Sequence, residues 1–429
     1  MRVLLVSANT ELVNMRTLPF GLWCVATAVE QAGHQVTVVD LADHPDSGTA
    51  VAEAIAATPP EVIGLSVRNI DDQNSAAPVF FLDKVRPVVD LCRRLSQAPV
   101  VLGGAGYSIF PEAALELLGA DLGIQGEGEA ALLALLEALA RGGDLAGVPG
   151  LFRRGVGPMG ARRFVADLDH LPLPAARFLA GLPAPPAPGQ GPPLWVPVQL
   201  RRGCAMGCSY CSTAVIEGNR VRSRSVGSLL AWLASQPALR PYPLFFVDNN
   251  FNLPPQVALA VCRGLENLGA PFDWRCILHP HGVDAELVAA LVRGGCREVS
   301  LGFESGSPTV LERMRKRFTV DEVRRTAGLL AEVGVRTMGF LLLGGPGETL
   351  ATAEESLRFA ASLPLAALRV TVGIRIYPGT ELERQARAEG MLAPDDDLLR
   401  PRFYLVPGLE AELRALVRQW AEGKPSWIV

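Results

Sequence analysis

The apolar positions of this chain form two alternating patterns. Short β-branched runs, RVLLVS, QVTVVD, EVIGLSV, PVVLGG and DLGIQG, recur through the first third. They read as buried strands, because a strand covered on both faces shows no polar alternation. Between them lie longer amphipathic stretches, such as FGLWCVATAVEQAGH closed by Gly33, which read as helices. Five strands alternating with helices predict a doubly wound parallel sheet. Ligands of such sheets sit beyond the carboxyl ends of the strands. Those ends carry Ser7, Ser66, Arg68, Asn69, Gly103, Gly104, Gly106, Tyr107, Gly126, Glu127 and Gly128. No G-x-G-x-x-G follows the first strand, which disfavours a dinucleotide.

A second series begins at Leu194. LWVPVQL, PLFFVD, FDWRCIL, REVSLGFES, RTMGFLLLGGPGE and ALRVTVGIRIYPGT read as six strands with helices between them. This predicts a parallel α/β barrel, whose chemistry belongs at the strands' carboxyl ends. The expected layout is an N-terminal domain over 1–143, a Pro- and Gly-rich connector over 144–190, the barrel over 191–395 and a short C-terminal segment over 396–429. The Pro-rich part of the connector is expected to be near-structureless.

The first barrel strand leads directly into RRGCAMGCSYCST, residues 201–213, where Cys204, Cys208 and Cys211 crowd one loop. Cys24, Cys92, Cys262, Cys276 and Cys296 are scattered in apolar contexts and read as buried small hydrophobes. A structural zinc site needs a fourth ligand, and no Cys or His stands at zinc spacing. His279 and His281 are distant. Three thiolates on one tight loop suit a [4Fe-4S] cluster with one iron left open for another ligand. Gly203 and Gly207 let the loop curl.

C-x3-C-x2-C with an aromatic before the last Cys resembles the signature of radical S-adenosylmethionine enzymes, whose fold is a partial (β/α)6 barrel. The resemblance implies that the open iron chelates S-adenosylmethionine and that one electron cleaves it to a 5'-deoxyadenosyl radical. It implies that Tyr210 lies against the adenine through its backbone. It places Asp248, Asn249 and Asn250 at the ligand's amino group, although the same trio is a common turn. It places Glu304 at the amino or ribose groups. The Gly-rich turn at Gly344 falls near the adenine and ribose wall, or is a helix entry served by Glu348. The segment IYPGT matches the family's last strand and puts Tyr377 among the cofactor-binding positions. Trp23, Cys24 and Tyr377 are candidates to border the substrate pocket, with core the expected reading of each.

A doubly wound domain ahead of such a barrel resembles the cobalamin-binding subgroup, over residues 1 to about 401. The resemblance implies that Ser66, Gly103 and Gly104 line the nucleotide tail. D-x-H-x-x-G is absent, so cobalt is expected to have no His ligand from this loop. Arg68 becomes the residue expected at the lower face; the plain alternative is an ion pair with Asp71 or Asp72.

The function implied is C-methylation of an unactivated carbon of a small molecule, using the cluster, S-adenosylmethionine and cobalamin. Cyclisation or rearrangement without net methyl transfer is the alternative. A non-catalytic cobalamin carrier would not need the cysteine triad. An RNA methylthiotransferase would add a second triad and a basic RNA-binding domain. The formal charge is −4 without a basic block, which argues against nucleic acid. No apolar run reaches the ~20 residues of a membrane span. A cytoplasmic protein is expected, reduced by an external donor of flavodoxin or ferredoxin type.

Overall fold

In a computed structural model of the chain, which describes residues 1–11, 15–186, 193–269 and 272–429, two parallel sheets follow one another. The first contains β1 (Arg2–Ser7), β2 (Gln35–Asp40), β3 (Val62–Ser66), β4 (Val100–Gly103) and β5 (Leu122–Ile124). These five run parallel in the order β2-β1-β3-β4-β5. The buried pattern of β1 and β3 reflects helices on both faces. Two further strands, β6 (Leu151–Arg153) and β7 (Gly157–Pro158), extend the sheet antiparallel beyond β5. The sheet therefore has seven strands where the apolar runs predicted five. The extra pair is short and lies in residues expected to form the connector, so its Gly and Pro content hid it. The Pro-rich stretch 187–192 lies outside the described residues.

The order reverses between β1 and β3, and ligands bind at such switch points. Register places Ser7 beside Ser66, and Ser66 beside Gly103, at the carboxyl edge.

The second sheet is a partial barrel. β8 (Val196–Val198) opens it, and the short antiparallel pair β9 (Arg201–Arg202) and β10 (Arg222–Ser223) follows. Then come β11 (Leu244–Phe246), β12 (Trp274–Leu278), β13 (Cys296–Glu304), β14 (Arg336–Leu343) and β15 (Ala367–Val372). Neighbours in sequence are neighbours in the sheet, all parallel. The predicted last strand divides, because Gly373 takes a positive φ and β16 (Ile374–Arg375) pairs instead with β17 (Phe403–Tyr404). A terminal strand, β18 (Trp427–Ile428), adds to β15 in parallel. On β14 and β15 buried and half-buried residues alternate. One face of these strands is therefore fully covered and the other only in part.

The two domains share hydrophobic cores. One cluster joins Val3, Leu5 and Trp23 to Val196, Leu244 and Trp274; another joins Leu4 and Phe110 to Met314, Ile374 and Leu382. Trp23 stacks on Phe178 at 6.1 Å and is core, as is Cys24. Among the described residues no helix is long and apolar enough to cross a membrane.

Candidate functional site

A cavity lies beyond the carboxyl edge of the first sheet. Ser7, Ser66, Arg68, Asn69, Gly103, Gly104, Gly126 and Glu127 line it together. Gly104 is required there: its φ is +98°, and a Cβ would meet the Val67 carbonyl oxygen at 2.5 Å. The opposite wall comes from the barrel, through Pro197, Gln199, Arg202 and Val247. The cavity therefore lies between the domains.

Arg68 stands at this cavity without an ion-pair partner among the described residues. Its backbone N–H donates to Asn9 Oδ1 at 2.6 Å. The alternative pairing is absent because both acids are engaged. Asp71 pairs with Arg375, and Asp72 Oδ1 accepts the N–H groups of Asn74 and Val79. Tyr107 does not line the cavity. Its ring is fully buried in the space left by Gly123, where a Cβ would meet the hydroxyl at 1.9 Å. Glu127 reaches the wall, but its carboxylate is held by Arg222 at 2.6 Å and by the Val165 N–H at 2.7 Å.

The cysteine loop begins just past β8 and β9. Gly203 has φ +86°, and a Cβ would meet the Arg220 carbonyl oxygen at 2.1 Å. The loop is pinned by backbone bonds from Cys204 N to Gly218 O, Ser209 N to Met314 O and Leu382 N to Ser209 O. Cys204, Cys208 and Cys211 are half-buried, whereas the other five cysteines are buried. Burial raises the Cys204 and Cys208 thiols above their ordinary range, with the nearby Lys316 charge opposing it. Among the described residues no three acidic, His or Cys side chains converge on a single ion. Three half-buried thiols on one pinned loop are the donor set that a [4Fe-4S] cluster takes, one thiol to each of three irons.

The polar residues at the other strand ends divide. Asn250 Nδ2 reaches Cys204 Sγ at 3.5 Å. Asn249 turns toward Glu217 at 2.9 Å. Asp248 faces away from the thiols: it accepts from Arg201 Nε and the backbone N–H groups of Leu200 and Arg201 at 2.9–3.0 Å. It fixes the entry to the loop and is not presented to a ligand. Glu304 ends β13 after a bulge, with φ +62°. It accepts from the Tyr210 hydroxyl at 3.1 Å and Lys316 Nζ at 3.3 Å. Burial works against the Lys316 ammonium, but Tyr210 and Glu304 outweigh it and raise its pKa. Gly344 packs on Leu405, where a Cβ would come within 2.7 Å, and its N–H donates to Glu348. Glu348 also accepts from Thr352, so this turn is a helix entry tied to the C-terminal segment. Tyr377 lies beside Phe110 with Arg375 over its ring.

Sequence reasoning missed Lys316, Gln199, Arg202 and Glu217. Lys316 stands in MRKRF, a charge run that reads as a solvated face. Arg202 adjoins the cysteine motif, which was its one signal.

The radical SAM superfamily profile matches residues 198–360, and the B12 binding domain profile matches residues 7–136. The chain is 26% identical to an uncharacterised methyltransferase of Pyrococcus horikoshii, over 91% of this chain and 84% of that relative. It is 25% identical to the tryptophan 2-C-methyltransferase of Streptomyces laurentii, over 86% and 72%. Among solved structures, the radical S-adenosylmethionine methyltransferase TsrM of Kitasatospora setae, with cobalamin and a [4Fe-4S] cluster bound, superposes with a TM-score of 0.79 at 26% identity. That match covers 92% of this chain and 76% of TsrM.

Proposed function

Because the chain belongs to the cobalamin-binding radical S-adenosylmethionine proteins, we propose that it is a methyltransferase acting on an unactivated carbon of a small molecule. One observation carries the reading. The cavity at the B12-domain edge is walled by the strand ends that lead into the cysteine loop, so the two places for cofactors adjoin. When bound, the cluster, S-adenosylmethionine and cobalamin supply between them an electron, a carbon-centred radical and a transferable methyl group.

This chain's residues hold and orient those groups. Cys204, Cys208 and Cys211 bind the cluster. Gly103 and Gly104 offer bare backbone, and Ser7 and Ser66 offer hydroxyls, to the part of cobalamin lying along the sheet edge. Arg68, at the cavity wall, would present to a bound corrin a charge that cannot ligate while protonated. Asn250 lies beside Cys204 and is placed to meet the amino group of S-adenosylmethionine. Glu304, steadied by Tyr210 and Lys316, offers a carboxylate at the barrel mouth. Asp248 and Arg201 set the angle at which the loop leaves the sheet. The electron comes from a flavodoxin- or ferredoxin-type donor, and the enzyme works in the cytoplasm without a nucleic-acid partner, in keeping with its weak negative charge.

The test is anaerobic reconstitution with iron, sulfide and hydroxocobalamin, followed by S-adenosylmethionine deuterated in its methyl group and a panel of small aromatic and heterocyclic acceptors. Deuterium in a new carbon–methyl bond is expected. Rearranged products that carry no deuterium would replace methyl transfer with the rearrangement reading.

A further inference from the structure

The wall between the cavity and the cysteine loop is a continuous set of polar contacts. Arg202 sits at its centre. It pairs with Glu129 at 2.6 Å and with Glu127 at 3.3 Å, both on the B12-domain side. Its Nε donates to Gln199 Oε1 at 2.9 Å. Gln199 Nε2 in turn donates to Glu217 Oε1 at 3.2 Å. The other Glu217 oxygen accepts the Gly203 N–H at 3.0 Å and Asn249 Nδ2 at 2.9 Å. Asn249 Oδ1 accepts from Thr213 Oγ1 at 3.4 Å, and Thr213 Oγ1 lies 3.2 Å from Cys211 Sγ.

Glu217 therefore holds one end of the cysteine loop directly, through Gly203 before Cys204, and meets the other through Asn249, which bonds Thr213 after Cys211. The other end of the chain of contacts is the cavity itself, since Glu127, Glu129, Gln199, Arg202 and Glu217 all line it. The charged members are largely removed from solvent, with side-chain exposures of 12% for Arg202, 6% for Glu127 and 4% for Glu129. A ligand that fills the cavity displaces the remaining water from this wall and strengthens each contact in it.

We infer that Arg202 and Gln199 are positioning residues that couple the corrin cavity to the cysteine loop, so that cobalamin binding and cluster assembly favour one another. This rests on the functional reading above. Coupling between two sites is reciprocal and amounts to about 5- to 150-fold in affinity. Arg202 suits the role because its planar fork engages two carboxylates and an amide together, which Lys cannot do.

The experiment measures the hydroxocobalamin Kd of the full-length chain by absorbance titration, before and after anaerobic loading with iron and sulfide. Wild-type protein is expected to bind at least about fivefold more tightly when iron-loaded. In Gln199→Met, which leaves every charge in place, the ratio is expected to fall below about twofold with iron content retained. Arg202→Met is expected to do the same, and Arg202→Lys to fall between. Should Arg202→Met fail to fold, the Gln199 variant decides. A ratio of one in wild-type protein that binds both groups, or a ratio that survives in Gln199→Met, overturns the coupling alone. Wild-type protein that binds no cobalamin or no iron overturns the functional reading, and the coupling with it.

Discussion

Arg375 donates from Nε to Asp71 at 2.8 Å across 304 residues of sequence, and each side chain is 2% exposed. Asp71 lies in the loop after β3 that begins at Arg68, and Arg375 lies in β16 just past the last main barrel strand. Arg375 also donates to the carbonyl oxygens of Ile376, Leu398 and Leu399. One loop of the B12 domain is thereby locked to the barrel. Arg414 adds a second tie by donating to Ser75 Oγ in the same loop at 2.7 Å.

Breaking this pair from one side leaves a buried charge. Arg375→Met is expected to lower the unfolding free energy by roughly 3–5 kcal/mol. The double variant Asp71→Asn/Arg375→Met is expected to recover part of that loss, because no uncompensated carboxylate remains. Urea unfolding of the four proteins in the cycle measures it. A loss in the double variant equal to the sum of the two single losses would show that the pair itself carries little.

The three loop cysteines differ from the other five in exposure, and that difference gives a controlled test. Replacing Cys204, Cys208 and Cys211 together by Ala is expected to abolish bound iron and the broad visible charge-transfer absorbance, with the far-UV spectrum unchanged. Cys262→Ala is expected to keep both, since Cys262 is 1% exposed in the core. Full iron content in the triple variant would remove the cluster from this loop.

The sequence makes the strands legible for a physical reason. β1, β3 and β4 are covered on both faces, so their apolar runs are uninterrupted and their carboxyl ends can be located to a residue or two. Parallel pairing then brings Ser7, Ser66 and Gly103 side by side. What a polar side chain does past a strand end is not legible in the same way. Asp248, Asn249 and Asn250 are adjacent and chemically alike, yet one clamps Arg201, one holds Glu217 and one reaches Cys204. The choice depends on Arg201 needing a buried counter-charge, and the partners lie 32 to 47 residues away in sequence. Lys316 is hidden for a related reason. It lies among Arg313, Arg315 and Arg317, and only tertiary packing against Tyr210 and Phe318 selects it for burial.

His279 gives the fold a defined acid sensitivity. Its ring lies 5.2 Å from Phe318, and burial lowers its pKa from the ordinary 6.5 to about 4, helped by the Lys316 and His281 charges. The folded state therefore binds the proton less readily than the unfolded chain. The stabilisation is complete above pH 6.5 and is lost as pH falls toward about 4. The span corresponds to roughly 3 kcal/mol. Urea unfolding of iron-free protein at pH 7 and pH 4.5 is expected to show a loss that His279→Asn reduces. An identical pH dependence in the variant would locate the acid sensitivity elsewhere.

Arg68 is the most informative single position in the cavity. Asp71 and Asp72 are engaged elsewhere, so the guanidinium is available to the cavity without breaking an ion pair. Were cobalamin to fill the cavity, the Arg68 charge at its wall would disfavour a water on the metal and so favour release of a methyl group. Lys keeps the charge and loses the planar fork, whereas Ala opens a polar space that water fills. Arg68→Ala is expected to keep its fold and iron and to show water-coordinated cobalt in the Co(II) paramagnetic spectrum. Turnover is expected to fall on the order of tenfold, the scale of one charged contact. Arg68→Lys is expected to lose less on both measures. Cobalamin bound to Arg68→Ala with an unchanged spectrum and normal turnover would assign Arg68 to the protein surface.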